Sequence, residues 1–312
     1  MKALVTGGAG FIGSNIVAQL LADGHQVVVL DNLMSGYRGN LAAYPEARFI
    51  VGDVRDPAQV GNAIAGCEVV FHQAASVGNK RSIDHPLVDA EINVLGTLTV
   101  LEAARAAGVR KIVAASSAGI FGELVTMPIR EDHPVEPDTP YGCTKLAEEK
   151  LCLAYAKLHG LEAVCLRYFN VYGPHQRFDA YGNVIPIFVF QALRGQPLVI
   201  YGDGEQTRDF INVKDVVQAN LKAAAAVGVS GAFNLGSAGR ITINRLAELI
   251  RETGVPCTWS HGPARRGDVR HSLADISAAR RAFGFEPAVG MQEGLAEYVA
   301  WARREVADPC TD

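Results

Sequence analysis

Lys2-Ala3-Leu4-Val5-Thr6-Gly7-Gly8-Ala9-Gly10-Phe11-Ile12-Gly13 is the stretch on which the reading turns. Its opening apolar run, without polar alternation, reads as a strand buried on both faces. Gly7, Gly10 and Gly13 then follow at spacings of three, a helical pattern runs from Ser14 to Asp23, and Gly24 closes it. Gln26-Val27-Val28-Val29-Leu30 is a second strand, ending at Asp31-Asn32. Strand, glycine turn, helix, strand and terminal acid within about 30 residues are the context a dinucleotide-binding turn requires. The first glycine permits the turn, the middle one lets backbone N–H groups reach a pyrophosphate, and the last lets helix pack on strand. Asp31 would accept hydrogen bonds from the adenosine ribose and repel a 2′-phosphate, which favours NAD over NADP. Neither Asn32 nor Leu33 supplies a cation to reverse that.

The alternation continues along the chain. Arg48–Val51 reads as a strand ending at Gly52-Asp53-Val54, Pro57–Ile64 as a helix, and Val69–Ala75 as a strand whose small final residues would let a dinucleotide lie across its end. Asp84–Ala107 is expected as one long helix carrying Asn93, followed by the strand Lys111–Ser117 and, after residue 140, the strand Ala163–Phe169. Strands alternating with helices imply a parallel sheet covered on both faces, with ligands at the carboxyl ends of the strands. Beyond Asn170 the pattern changes to a polar stretch from His175 to Asn183 and then to shorter, mixed elements. No internal repeat or low-complexity linker separates the two parts. The fold class is α/β: a Rossmann-type doubly wound parallel sheet with a smaller, interleaved C-terminal substrate-binding α/β domain. The boundaries expected are 1–173 plus roughly 209–238 for the NAD-binding part, and roughly 174–208 and 239–312 for the other.

Composition narrows the classes of function. The chain has 312 residues and a net charge of −4, with its arginine pairs dispersed, so it lacks the concentrated basic face of a nucleic-acid binder. Six cysteines stand without metal-ligand spacing, and no run approaches the length of a membrane span. A cytoplasmic protein with reduced thiols and no metal is expected.

Pro140-Tyr141-Gly142-Cys143-Thr144-Lys145 opens another helix, with proline where a missing N–H does no harm. A spacing of four puts Tyr141 and Lys145 on one face. A cation beside a phenol favours the phenolate, so the Tyr141 pKa is expected to fall toward neutrality, suiting it to take a proton from an alcohol and return it. His72, on an apolar strand, reads as a packed core residue, and Ser116 as structural.

With these motifs in order, the sequence resembles the extended short-chain dehydrogenase/reductase family, and within it the 4-epimerases of UDP-glucose and UDP-N-acetylglucosamine. The resemblance rests on the glycine turn, Asp31-Asn32-Leu33, Gly52-Asp53, His72-Gln73-Ala74-Ala75, Ser116-Ser117-Ala118, Tyr141 with Lys145, and Arg167-Tyr168-Phe169-Asn170-Val171-Tyr172-Gly173-Pro174. Gly202–Phe210 and Arg265-Arg266-Gly267-Asp268 extend it. It implies Tyr141 as the base, Lys145 on the nicotinamide ribose, and Ser117 sharing the substrate proton. Cofactor contacts are implied for Gly7, Gly10, Phe11, Ile12, Gly13, Asp31, Asn32, Ser35 and Gly36. Asp53 and Val54 fall to the adenine; Gln73, Ala74, Ala75, Asn93 and Phe169 fall along the rest of the NAD.

The resemblance also implies substrate contacts. Asn170, Arg208 and Arg265 would hold the pyrophosphate, where a planar guanidinium fork suits phosphate oxygens. Val199 and Tyr201 would pack on uracil, Asp268 would meet the uridine ribose, and Val77, Asn183 and Val184 would complete the pocket. Ser272, four residues beyond Asp268, is expected to line the sugar site and leave room for a C2 acetamido group. Related 4,6-dehydratases carry an Asp-Glu pair after the active-site hydroxyl residue; here Ala118 and Gly119 stand there, which disfavours dehydration. A UDP-glucuronate 4-epimerase, a nucleotide-sugar dehydrogenase or reductase, and a non-catalytic sensor remain open alternatives. A homodimer through the helices around Asp84–Ala107 and Tyr141–His159 is implied as well.

Overall fold

The first half of the chain carries a largely alternating series of strands and helices, and the second half interrupts that order. The computed structural model describes residues 1–179, 182–264 and 269–308. The first half runs β1 (Lys2–Thr6), α1 (Phe11–Ala22), β2 (Gln26–Asp31), β3 (Arg48–Val51), α2 (Pro57–Ile64), β4 (Val69–His72), α3 (Asn79–Asp84), α4 (Pro86–Ala90), α5 (Thr97–Ala106), β5 (Lys111–Ser117), α6 (Pro140–His159) and β6 (Glu162–Tyr168). The remainder runs β7 (Asn170–Tyr172), α7 (Val184–Leu193), β8 (Leu198–Tyr201), β9 (Thr207–Arg208), β10 (Phe210–Asn212), α8 (Val213–Ala225), β11 (Gly231–Leu235), β12 (Ile241–Thr242), α9 (Ile243–Glu252), β13 (Trp259–Gly262), α10 (Ser277–Phe283) and α11 (Met291–Ala307).

Seven strands form one parallel sheet in the order β3-β2-β1-β4-β5-β6-β11. The order reverses between β1 and β4, so the carboxyl ends of those strands diverge and leave a crevice above them. Strand residues such as Leu4, Val28, Val70 and Ile112 are buried on one face; Val5, Val29, Phe71 and Val113 are buried on the other. A second apolar core gathers Phe188, Leu246, Tyr298 and Trp301 from α7, α9 and α11.

Two expected elements differ. Asp84–Ala107 is not one helix. His85 leaves the helical region (φ −135°, ψ 60°), because the residue before Pro86 is pushed out of it. A π-helical turn at Glu91–Gly96 then separates α4 from α5. The strand expected over Val69–Ala75 stops at His72, level with the last paired residue of β1, Thr6. Residues 73–75 are thereby released into the crevice.

Among the described residues no helix is long and apolar enough to cross a membrane. The helix at Pro140 is as expected: the Thr139 hydroxyl accepts the Gly142 N–H at 3.2 Å, and Gly160 ends it in the left-handed conformation (φ 69°). Thr242 caps α9 in the same way, accepting the Arg245 N–H at 3.0 Å.

Candidate active site

A cleft of about 1150 Å³ runs over the carboxyl edge of the sheet, from the glycine turn at one end to β8 and β9 at the other. At the first end the backbone leaves no room for side chains. A Cβ on Gly7 (φ 66°) would stand 2.7 Å from the Ala74 nitrogen, and one on Gly13 would stand 2.1 Å from the Gly7 carbonyl. Gly10 supplies the N-cap of α1, whose free N–H groups open toward the cleft as an anion site. Phe11 and Ile12 line the same turn.

Asp31 closes the pocket at the end of β2. Its carboxylate accepts the Ala9 N–H at 2.9 Å and the Leu33 N–H at 2.8 Å, which fixes it in place. Asn32 donates to Asp53 at 2.9 Å, and Arg55 clamps the same carboxylate and holds it well below the usual range. Asn32, Ser35, Asp53, Val54, Gln73, Ala74, Ala75 and Phe169 all line the cleft. Gly36 does not; it lies against the Asp31 carboxylate, where a Cβ would come within 2.9 Å of both oxygens.

Asn93 is also displaced from its expected place. It is fully buried, accepts the Ser76 N–H at 2.8 Å, and donates to the Ser76 carbonyl at 3.1 Å and to Thr144 at 3.0 Å. It staples the π-helical turn to the loop after β4 and to α6, and does not line the cleft. His72 and Ser116 are core residues as expected. His72 joins Thr6 (2.7 Å) to Thr97 (3.0 Å), and burial, with Lys145 adding to it, presses its pKa down to about 3. Ser116 donates to Glu149 at 2.9 Å.

Ser117 ends β5, and Tyr141 and Lys145 stand on the first turns of α6; all three line the middle of the cleft. The Tyr141 pKa does not fall as expected. Burial pushes the phenol up; the Lys145 ammonium and the Ser117 hydroxyl pull it down without cancelling that cost. Lys145 is paired with Glu148, three residues further along the helix. Burial works against its ammonium, but Glu148 and Tyr141 outweigh burial and raise its pKa. Glu148 carried no mark in the sequence, where it sits in a run that reads as a solvated helix face.

At the far end Asn170, Asn183, Val184, Val199, Tyr201 and Arg208 line the cleft, with Val77 on the opposite wall. Asn170 is braced by donating to the Asp209 carbonyl at 3.0 Å, and Arg208 by donating to the Thr207 carbonyl at 2.9 Å. Arg265 and Asp268 lie outside the described residues. Ser272 does not line the cleft: it is 8% exposed, and its N–H bonds the Thr207 carbonyl at 3.2 Å, which seats it beside β9. Two wall segments had no signal in the sequence, Asn79-Lys80-Arg81 and His175–Asp179. They face one another and are joined by an Arg81–Asp179 ion pair of 2.7 Å.

A glycine turn, an acid at the end of β2 and a Ser–Tyr–Lys centre thus share one cleft, and residues 3–236 match the NAD dependent epimerase/dehydratase family. The chain belongs to that family. The UDP-glucose 4-epimerase of Mycolicibacterium smegmatis is 40% identical over 311 residues, covering 98% of this chain and 99% of that one. A UDP-glucose 4-epimerase from Thermotoga maritima, crystallised with UDP-glucose, matches with a TM-score of 0.93 at 38% identity, over 98% and 100% of the two chains. A UDP-N-acetylglucosamine 4-epimerase from Methanobrevibacter ruminantium M1, in complex with UDP-N-acetylmuramic acid, matches with a TM-score of 0.92 at 36% identity, over 96% and 97%. The family's cofactor fits the glycine turn here: Gly7, Gly10 and Gly13 put bare backbone along the cleft, and Asp31, at the end of β2, lines it beside them with its carboxylate held by the Ala9 N–H.

Proposed function

We propose that this protein is an NAD-dependent 4-epimerase of UDP-hexoses, acting on UDP-glucose and UDP-galactose and also on their N-acetylhexosamine counterparts. The observation that carries the reading is the placement of Ser117, Tyr141 and Lys145 midway along a cleft with a dinucleotide turn at one end and Arg208 with Tyr201 at the other. NAD, held by the glycine turn and Asp31, would supply reversible hydride exchange with C4 of the sugar. Tyr141 takes the C4 hydroxyl proton and later returns it. Lys145 supplies the charge that stabilises the phenolate, and Ser117 holds the hydroxyl on line with it. Asn170 and Arg208 anchor the pyrophosphate, and Val199 and Tyr201 flank the base. The grip therefore falls on the nucleotide, leaving the sugar free to present either face.

Elimination finds no equipment here. Ala118 and Gly119 follow Ser117, and Gly119 packs 3.7 Å from the Tyr141 ring at the position of a Cβ, so no acid or base stands where dehydration would need one. The test is to incubate the purified protein with UDP-glucose and with UDP-N-acetylglucosamine and to separate the sugars. A C4 epimer is expected from each, without accumulation of free NADH; no epimer from either would defeat the reading.

We also infer a cytoplasmic homodimer. Free thiols at Cys67, Cys143, Cys152, Cys165 and Cys257 suit a reducing compartment. Leu87 and Leu95 stand 77% and 55% exposed on α4 and the π-helical turn, which pack against each other and against α6, and a second chain would cover them there. Sedimentation at micromolar concentration is expected to give twice the chain mass, and Leu95→Arg is expected to give monomers.

A further inference from the structure

The inward face of α6 carries charges that a core seldom holds. Lys145 is 2% exposed, and Glu148 and Glu149 are each 1% exposed. Glu149 is satisfied: Arg167 grips both its oxygens at 2.8 and 2.9 Å, and Ser116 adds a third bond. Glu148 is not. One of its oxygens is paired with the Lys145 ammonium; the other, Oε1, is buried without a hydrogen-bond partner among the described residues. The remaining ionisable groups that face this pair are Tyr141 on α6 itself, Asp89 of α4 and His72 of β4. Cys152 on α6, with Cys165 and Tyr168 on β6, completes the set. Asp89 accepts the Thr144 hydroxyl at 2.5 Å, and His72 is locked between two threonines, so neither reaches Lys145 by a direct bond.

We propose that Glu148 is a positioning residue that tethers the Lys145 ammonium and screens its charge at the Tyr141 phenol, and so governs how readily Tyr141 releases its proton. The proposal rests on the reading of Tyr141 as the base. A lone cation one turn from a phenol stabilises the phenolate; a carboxylate bonded to that cation offsets part of the effect. Where water is excluded, the offset is large. Burial raises the Glu148 carboxyl, Lys145 lowers it, and Glu149 and Asp89 add to the rise, leaving it at about 7. Glu148 therefore changes charge in the range where the base must work. Each loss of its proton restores the negative charge that holds the proton on Tyr141, so the two titrate against each other.

The test compares wild type with Glu148→Gln, which keeps the shape and removes the charge, and with Glu148→Asp, which keeps the charge. One readout needs no turnover: the tyrosinate absorbance of each protein as pH rises, with Tyr141→Phe as reference to isolate Tyr141. The second is the acid limb of kcat/KM. In Glu148→Gln both are expected to move to lower pH, with kcat/KM rising at least about threefold above about pH 7, where the wild-type Glu148 is ionised, and the limb becoming a clean one-proton step. Glu148→Asp is expected to keep the wild-type positions. Unchanged or upward-moving curves in Glu148→Gln would overturn the proposal. So would a clean one-proton limb in wild type, a check that requires no variant to fold. If no form turned over a UDP-hexose, the functional reading would fall, and the tyrosinate titration would still decide the role of Glu148.

Discussion

Tyr141 is the residue whose removal separates chemistry from binding. Tyr141→Phe deletes one oxygen and leaves α6, its Thr139 cap and the cleft walls in place. Turnover of the UDP-hexose is expected to fall by about 10²–10⁴-fold, while calorimetric affinities for NAD and for UDP stay close to wild type. Activity near wild type would assign the base elsewhere. Tyr141 and Lys145 were legible in the sequence because a spacing of four on a helix fixes their neighbourhood without any tertiary information. Glu148 was not, because Glu148-Glu149-Lys150 has the composition of a solvated face, and only β5 and β6 packed over it make it an interior one. Asn93 and Ser272 were misplaced for a similar reason. Which way a buried side chain points depends on the loop or strand that meets it, and that partner lies far along the chain.

Elements carry the next two predictions. In the first βαβ unit, Gly13→Ala would drive a methyl group to within 2.1 Å of the Gly7 carbonyl, a backbone atom that cannot yield. The turn must open, and nucleotide released on denaturing the purified variant is expected to fall well below one per chain. Between α6 and β6 the Glu149–Arg167 pair, both partners at or below 5% exposure, ties helix to sheet. Arg167→Met leaves Glu149 charged and buried, and a loss of about 3–5 kcal/mol in urea unfolding is expected. The first unit was readable because its periodicities and glycines are local. The region from Asp84 to Ala107 was read as continuous because its apolar spacing is helical throughout. Pro86 should have signalled the break at His85; the π-helical turn, set by the bonds Asn93 makes across the fold, had no local signal.

At the scale of the molecule, the two cores are clasped near the carboxyl terminus. Arg177 binds Glu305 at 2.7 Å and Asn40 at 2.9 Å and stacks on Tyr37, while the neighbouring His175 meets Ser14 at 2.8 Å. Burial presses the His175 pKa from 6.5 down to about 4, with Arg177 adding to it. The unfolded chain then takes up this proton before the native one does. The contribution of His175 is present above about pH 6.5 and is lost as pH falls toward 4, on the order of 3 kcal/mol in all. His175→Asn, a residue that tolerates the positive φ of 73° at this position, is expected to remove that dependence. Unfolding free energies of the two proteins at pH 7 and pH 5 should therefore converge on acidification. The whole architecture was inferred from alternating strands and helices, but the clasp joins residues more than a hundred positions apart and left no trace in spacing.

The seventh strand of the sheet, β11, is made long after the sixth, since the chain leaves to build β7 to β10 before returning. On the ribosome β6 therefore waits with an open hydrogen-bonding edge. At about 5–20 residues per second, the stretch from Tyr168 to Leu235 takes on the order of 3–13 s to synthesise. An exposed, apolar parallel strand is an invitation to pair with another nascent chain. Fragments that end near residue 173 should accordingly be recovered as aggregates, and slow translation across residues 170–230 should lower the yield of the intact protein.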